Sequence, residues 1–188
     1  MILDFGCGDG RRWSGENNDV VGIDINLARL TDAKSRISLV QCDGRLLPFR
    51  NSIFSLIISD SVLEHIPDYK RAISEIRRVL STDGLWKIFQ PVDNDPIFIV
   101  ARRVARNWMG DRIYSYFSSG QLLETLSSFF KVVSVAYVPN PPINGVFAFF
   151  NKKPPTLLQK IDYVYALICQ KLTPFHWEVI IEATKLLA

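Results

Sequence analysis

Ile2-Leu3-Asp4-Phe5-Gly6-Cys7-Gly8-Asp9-Gly10 is an apolar run that ends in an acidic residue, an aromatic ring and three glycines at alternate positions. The run is strand-like, and glycines directly after a strand permit a tight turn and let backbone N–H groups approach a ligand closely. Their spacing is the informative part. A nicotinamide or flavin fingerprint reads GxGxxG, which from Gly6 and Gly8 requires glycine at position 11, where Arg11 stands. The pattern is GxGxG instead.

Downstream, short β-rich runs alternate with helical patterns: Met1 to Phe5, Val20 to Asp24, Ile37 to Cys42, Phe54 to Asp60 and Leu85 to Gln90. This alternation predicts a parallel sheet. The nearly unbroken apolar run Ile53-Phe54-Ser55-Leu56-Ile57-Ile58 suits a central strand covered on both faces. Helices are expected over Asp68 to Leu80, with Pro67 before it, and over Ser119 to Phe129, with Ser118 as N-cap. Two further β runs, Val132 to Val138 and Val146 to Phe150, are joined by Pro139-Asn140-Pro141-Pro142, too short a link for a helical crossover, so an antiparallel pair should close the sheet.

Residues 1–153 therefore read as one domain with an insertion at 92–117, and 154–188 as a C-terminal helical extension packed on it. The extension carries Leu157, Leu158, Ile161, Tyr165, Ile168 and Leu172, then Trp177, Ile180, Ile181 and Leu187. That much apolar surface needs a cover. Docking on the sheet's helical layer or a homodimer face ranks above a membrane-facing surface.

Of the 188 residues, 48% are hydrophobic and 22% charged, an ordinary globular balance. The net charge of +3 is too mild to suggest a nucleic-acid partner. Cys7, Cys42 and Cys169 are spaced as neither a zinc set nor a disulfide framework, so no metal is expected and a reducing compartment is. With no long apolar span and no leader pattern, the expected location is cytoplasmic. The chain opens directly on a strand, so a helix that would precede it is expected to be missing.

Three more motifs follow the glycine turn in order. Val21-Gly22-Ile23-Asp24 ends the second strand, and Gln41-Cys42-Asp43-Gly44, followed by Leu47-Pro48-Phe49, ends the third. Phe54-Ser55-Leu56-Ile57-Ile58-Ser59-Asp60-Ser61-Val62-Leu63-Glu64-His65 makes the fourth strand and its loop. The ordered set resembles class I S-adenosylmethionine-dependent methyltransferases, in the group that includes quinone-biosynthesis (type 11) methyltransferases. The resemblance covers about residues 1 to 150, densest over 3 to 91. It implies a Rossmann-like, doubly wound, mostly parallel seven-stranded sheet in the order 3-2-1-4-5-7-6, with a terminal antiparallel hairpin.

The same resemblance implies S-adenosylmethionine as cofactor, with S-adenosylhomocysteine as its product. Asp24 would accept from both ribose hydroxyls, for which the two oxygens of a carboxylate are suited. Asp43 with Gly44 would meet the adenine amino group and Ile25 would pack on the ring. Gly6, Cys7, Gly8 and Gly10 would hold the methionine part, with Asp4 supporting its amino end. Ser59 and Asp60 would also contact the cofactor, with Asp60 reaching cofactor or substrate through its backbone.

Each residue has a plainer reading. Asp4, Asp24 and Asp43 could cap turns, and Cys7 is a small packing residue more readily than a nucleophile. His65, just after the fourth strand, is a candidate general base, with an architectural role as its alternative. In the insertion, Val100, Val104 and Trp108 alternate with Arg102, Arg103 and Arg106 as a basic amphipathic helix, which suits a lid, peripheral membrane contact or a phosphorylated acceptor. No Asn-Pro-Pro-Tyr type motif occurs, and Gln90-Pro91-Val92 does not supply one.

The chain departs from the family pattern in Arg11 to Asp19, short and nearly all polar where relatives carry a helix of several turns. Two functions are therefore weighed: a methyltransferase acting on a small, partly lipophilic acceptor, and a catalytically degenerate module that binds the cofactor or a partner. A nicotinamide-dependent oxidoreductase is disfavoured by the glycine spacing.

Overall fold

A computed structural model describes residues 1–13, 19–31, 37–93, 113–138 and 178–186. Seven strands form one sheet: β1 (Ile2–Phe5), β2 (Val20–Asp24), β3 (Ser38–Gln41), β4 (Phe54–Asp60), β5 (Leu80–Pro91), β6 (Phe130–Val138) and β7 (Glu178–Lys185). Their order is β3-β2-β1-β4-β5-β7-β6. The first five run parallel, and β7 lies antiparallel to β5 and β6. This is the expected doubly wound, Rossmann-like sheet.

The parallel strands are apolar because both faces need cover. Leu3, Phe5, Phe54 and Ile57 of β1 and β4 are buried at the centre. One face is covered by α2 (Tyr69–Val79), which turns Ala72, Ile73, Ile76 and Val79 inwards at helical spacing. Asp68 caps it, its side chain accepting from the Arg71 N–H at 3.3 Å. On the same core packs α3 (Ser119–Ser127), opened by a reciprocal Ser118–Gln121 capping box and burying Leu122 and Leu126. Trp86 of β5 and Phe130 of β6 meet beneath these helices with ring centroids 5.1 Å apart.

Arg78, in the last turn of α2, holds the 47–51 segment through bonds to the Leu47 and Phe49 carbonyls at 2.9 and 2.7 Å and to Asn51 Oδ1 at 2.9 Å. A short helix, α1 (Leu27–Thr31), follows β2, started by Asn26 Oδ1 accepting from the Ala28 N–H at 3.0 Å.

The structure corrects the sequence reading in two places. β5 begins at Leu80, directly after α2, where the helix was expected to include Leu80 and the strand to start at Leu85, and its register against β4 shifts between Phe54 and Leu56. The larger correction concerns the end of the chain. The antiparallel partner of β6 is β7, over Glu178–Lys185, a stretch expected to belong to a helical extension. Val179, Ile181 and Ala183 are buried while their neighbours are only partly so, the two-residue period of a strand. The Val146 to Phe150 run, the insertion helix and the Leu157 to Leu172 pattern lie outside the described residues.

Candidate functional site

At the carboxyl end of β1 the chain turns sharply because glycines allow it. Gly6, Gly8 and Gly10 have φ of 80°, 56° and 66°, a region that penalises any side chain. The Gly6 and Cys7 N–H groups both donate to the Ile23 carbonyl at 2.8 Å, fastening the turn to β2. A Cβ on Gly6 would strike Val62 and one on Gly44 the Phe5 ring.

After the glycines the described chain makes a 3-10 turn over Arg11–Trp13, and residues 14–18 lie outside the described set. The turn is anchored from within. Trp13 is buried and its Nε1 donates to Asp4 Oδ2 at 2.7 Å. Asp4 is 3% exposed; burial pushes its pKa up, while the Trp13 bond and the Arg12 charge pull the other way.

Asp24 ends β2 with its carboxylate oriented by backbone donors. Gly8 N–H donates to Oδ2 at 2.9 Å and Asn26 N–H to Oδ1 at 2.8 Å. It borders a cleft of about 490 Å³ lined by the ends of β1, β2, β3 and β4, by residues 61–62 and 65–67 and by Tyr114. That volume is within the range of roughly 300–1,000 Å³ usual for small-molecule sites. Ile25, 65% exposed, forms part of its wall. Across from it, Asp43 is gripped by Arg45, whose Nε and Nη2 lie 3.0 and 2.6 Å from the two carboxylate oxygens. The guanidinium holds the Asp43 carboxyl below its ordinary range.

At the end of β4, Asp60 Oδ2 takes the Arg12 guanidinium at 2.5 Å, and Arg12 also lies over the Phe89 ring, 5.4 Å from its centroid. Ser61 then adopts φ 54°, with its N–H on the Phe89 carbonyl at 2.9 Å, which turns the chain towards the cleft. His65, in a 3-10 turn over Leu63–His65, lines the cleft. Its Nε2 is 3.9 Å from Glu64 Oε1. Glu64 is buried and receives Gln90 Nε2 on its carboxylate, while its backbone carbonyl accepts the N–H groups of Tyr114 and Ser115 at 2.7 and 3.2 Å. Tyr114 is thereby held at the cleft with its ring 46% exposed.

Of the residues singled out from sequence, Gly6, Asp24, Ile25, Asp43, Gly44, Asp60 and His65 line the cleft. Asp4, Cys7, Gly8, Gly10 and Ser59 do not. Asp4 is turned to Trp13, Gly8 acts through its N–H on Asp24, and Ser59 is buried with Trp86 Nε1 on its hydroxyl at 3.0 Å. Burial and nearby carboxylates push the Cys7 thiol up to about 12. Cys42, which does line the cleft, is raised to about 11 for the same reasons. Neither is a thiolate near neutral pH. Sequence reasoning missed Arg45, which an Asp-x-Arg spacing could have suggested, and Tyr114, for which the sequence carries no local signal. Among the described residues no group of His, Cys, Asp and Glu could hold a metal ion, and no helix is long and apolar enough to cross a membrane.

Comparison with known proteins bears on the same region. Residues 3–88 match the family model described as "Methyltransferase domain". The chain is 39% identical over 89 residues to an uncharacterized protein of Methanocaldococcus jannaschii, covering 46% of this chain and 35% of that one. It is 32% identical over 99 residues to demethylmenaquinone methyltransferase of Lactobacillus johnsonii, covering 45% of this chain and 41% of that one. The chain thus spans less than half the length of both. Among solved structures, the [4+2]-cyclase SpnF superposes with a TM-score of 0.69 at 19% identity, over 100% of this chain and 75% of that one, a likeness of fold alone.

Proposed function

Because residues 3–88 match the methyltransferase domain family model and the similar proteins include quinone-biosynthesis methyltransferases, we propose that the protein is an S-adenosylmethionine-dependent methyltransferase acting on a small, partly lipophilic acceptor. The observation that carries this reading is Asp24. Its carboxylate is fixed at the mouth of the cleft by two backbone N–H groups, at 2.9 and 2.8 Å. Each oxygen accepts one such bond and keeps a lone pair, and a pair of free lone pairs at one carboxylate suits the vicinal diol of a ribose. Exposed Ile25 supplies an apolar surface for a purine on one side, and Asp43 an acceptor for its amino group. Over the turn, Gly8 has no heavy atom within 4 Å of where a Cβ would stand, leaving open space there. These donor and acceptor types fit the cofactor.

When bound, the cofactor supplies an electrophilic methyl on a sulfonium. The protein's contribution is positional. Holding donor and acceptor aligned in a water-poor cleft can supply several kcal/mol, roughly 7 to 11 in the best cases, without acid–base groups. His65, which lines the cleft, would take a proton from the acceptor. Val62, Ile66 and Tyr114 supply the apolar lining that favours a partly lipophilic acceptor.

The alternative, a degenerate binding module, draws on the reduced turn at Arg11–Trp13 and on the general independence of chemistry from fold. Calorimetric titration with S-adenosylmethionine, S-adenosylhomocysteine and NADH separates the readings. Expected are dissociation constants near the micromolar range, about −8 kcal/mol, for the two methionine-derived ligands and none for NADH, with binding lost in Asp24→Ala. Since that variant also strips two bonds from the glycine turn, Asp24→Asn serves beside it. Wild-type protein that binds neither ligand, or variants that bind as tightly as the wild type, would overturn the proposal.

A further inference from the structure

The segment that brings Tyr114 to the cleft also borders a second recess, of about 320 Å³, and no residue lines both. That volume is at the lower end of the roughly 300–1,000 Å³ usual for small-molecule sites. One wall is α3, which presents Glu124 and Thr125 beside Gln121, three and four residues on, away from its buried Leu122 and Leu126. The other walls are aromatic. Tyr69, at the start of α2, and Phe117 meet edge to face, centroids 4.9 Å apart and planes at 86°, so they make a corner, and Tyr116 supplies a third ring. Both ends of this strap are fastened. The Asp93 N–H donates to the Phe117 carbonyl at 2.7 Å, and Ser118 and Gln121 exchange two bonds of 3.2 Å in the capping box of α3. A recess formed in advance costs its ligand little ordering.

Charge decides what such a recess takes. Its lining among the described residues includes no Lys, Arg or His, and its one charged group is Glu124. Glu124 is exposed at the rim, and no described residue forms an ion pair with it. Aromatic faces are electron-rich, so three rings and a carboxylate together favour a cation and oppose an anion. The kind of cation follows from the rings. A primary ammonium brings three N–H donors that need acceptors, and a ring accepts an N–H only weakly. A nitrogen bearing methyl groups spreads its charge over an apolar shell that packs on aromatic carbon.

We propose that this recess is a second binding site, separate from the cofactor cleft, that takes a small alkylated ammonium compound between the rings of Tyr69, Tyr116 and Phe117 and the carboxylate of Glu124. The site stands on its own geometry and requires nothing of the methyltransferase reading.

The test titrates choline and its uncharged isostere, 3,3-dimethylbutan-1-ol, into the nitrogen-15-labelled full chain and follows amide chemical shifts. Choline should move the amides of residues 115–117 and 121–125 and bind at least about fivefold more tightly than the alcohol. Glu124→Gln, at an exposed position, should weaken choline by at least about threefold, and so should Tyr116→Leu. If Tyr116→Leu does not fold, Glu124→Gln decides alone. Choline should stay bound when the chain is saturated with S-adenosylhomocysteine, since the two sites share no lining residue. Equal or tighter binding of the alcohol, no choline binding below about 10 mM, shifts confined to the cleft, displacement by S-adenosylhomocysteine, or a choline affinity unmoved by Glu124→Gln each overturns the proposal. Failure of S-adenosylhomocysteine itself to bind is a different result: it removes the methyltransferase reading and leaves this recess to be judged by choline alone.

Discussion

Replacing Trp13 by Phe tests whether one buried hydrogen bond anchors the Arg11–Trp13 turn. The substitution keeps an aromatic ring under the Arg11–Trp13 turn but deletes the donor that meets Asp4 Oδ2 at 2.7 Å. A hydrogen bond to a charged group contributes about 1.5–3 kcal/mol, and trimming an indole to a phenyl ring in a packed site adds about 1 kcal/mol. The expected loss near pH 7.5 is therefore about 2.5–4 kcal/mol, read by urea unfolding.

The pH dependence separates the two parts. Burial already raises the Asp4 pKa above its ordinary 3.8, and the Trp13 bond is the largest influence pulling it back. Trp13→Phe raises it further. A group raised in the folded state contributes stability that is present below the unfolded pKa and lost as pH rises through the folded one. The deficit of the variant is thus largest once Asp4 is ionised in both proteins, and it shrinks on acidification as the variant's Asp4 takes up its proton first. In an Asp4→Asn background the same replacement should cost about 1.5 kcal/mol less, a coupling that a double-mutant cycle reads directly. A cost that is independent of pH and unchanged in that background would refute the assignment.

Three further outcomes follow from the geometry. Arg78→Ala removes donors from the Leu47 and Phe49 carbonyls and from Asn51, so a loss of about 2–4 kcal/mol is expected in chemical denaturation, with Arg78→Lys recovering less than half because one ammonium cannot span the set. Arg45→Ala frees the Asp43 carboxyl, which the guanidinium holds low; the charged form of such a group is lost only as pH falls through its depressed pKa, so in the variant S-adenosylhomocysteine binding should fade at a higher pH than in the wild type, and the opposite order would count against Asp43 as a ligand contact. Peptide-resolved alkylation of the folded protein near pH 8 should leave Cys7 and Cys42 unmodified, given thiols at about 12 and about 11; rapid labelling of either would show that its surroundings are less buried than described.

The core of the sheet was legible because each parallel strand announces itself as an apolar run with a turn signal at its end. β2 and β4 have the bounds expected of them, Val20–Asp24 and Phe54–Asp60. The glycine spacing and the ordered acidic residues placed Asp24, Asp43 and Asp60 at strand ends, and the cleft forms where those ends meet.

What sequence hid is pairing over distance. Glu178 to Lys185 carries apolar residues at positions compatible with a helix, and only the presence of β5 and β6 on either side selects the two-residue period. Asp4 and Trp13 are each conspicuous, yet nothing in the string joins them, because the bond depends on a turn too short to show periodicity. Tyr114 reaches the cleft only because Glu64 offers it a backbone carbonyl.

The place of β7 between β5 and β6 has a consequence for how the molecule is made. Every residue of β5 and β6 leaves the ribosome before Glu178 does, so among the described residues the edges that β7 pairs with are left without it, a slot one strand wide. Such edges invite pairing with other chains, and closing the slot requires contacts of large sequence separation, the kind that form slowly. A chain halted or clipped before residue 178 would keep α2, α3 and most of the cleft-forming strand ends and yet lack the strand that joins β6 to the rest. For this fold, β7 decides whether β6 belongs to the sheet or is an adhesive flap beside it.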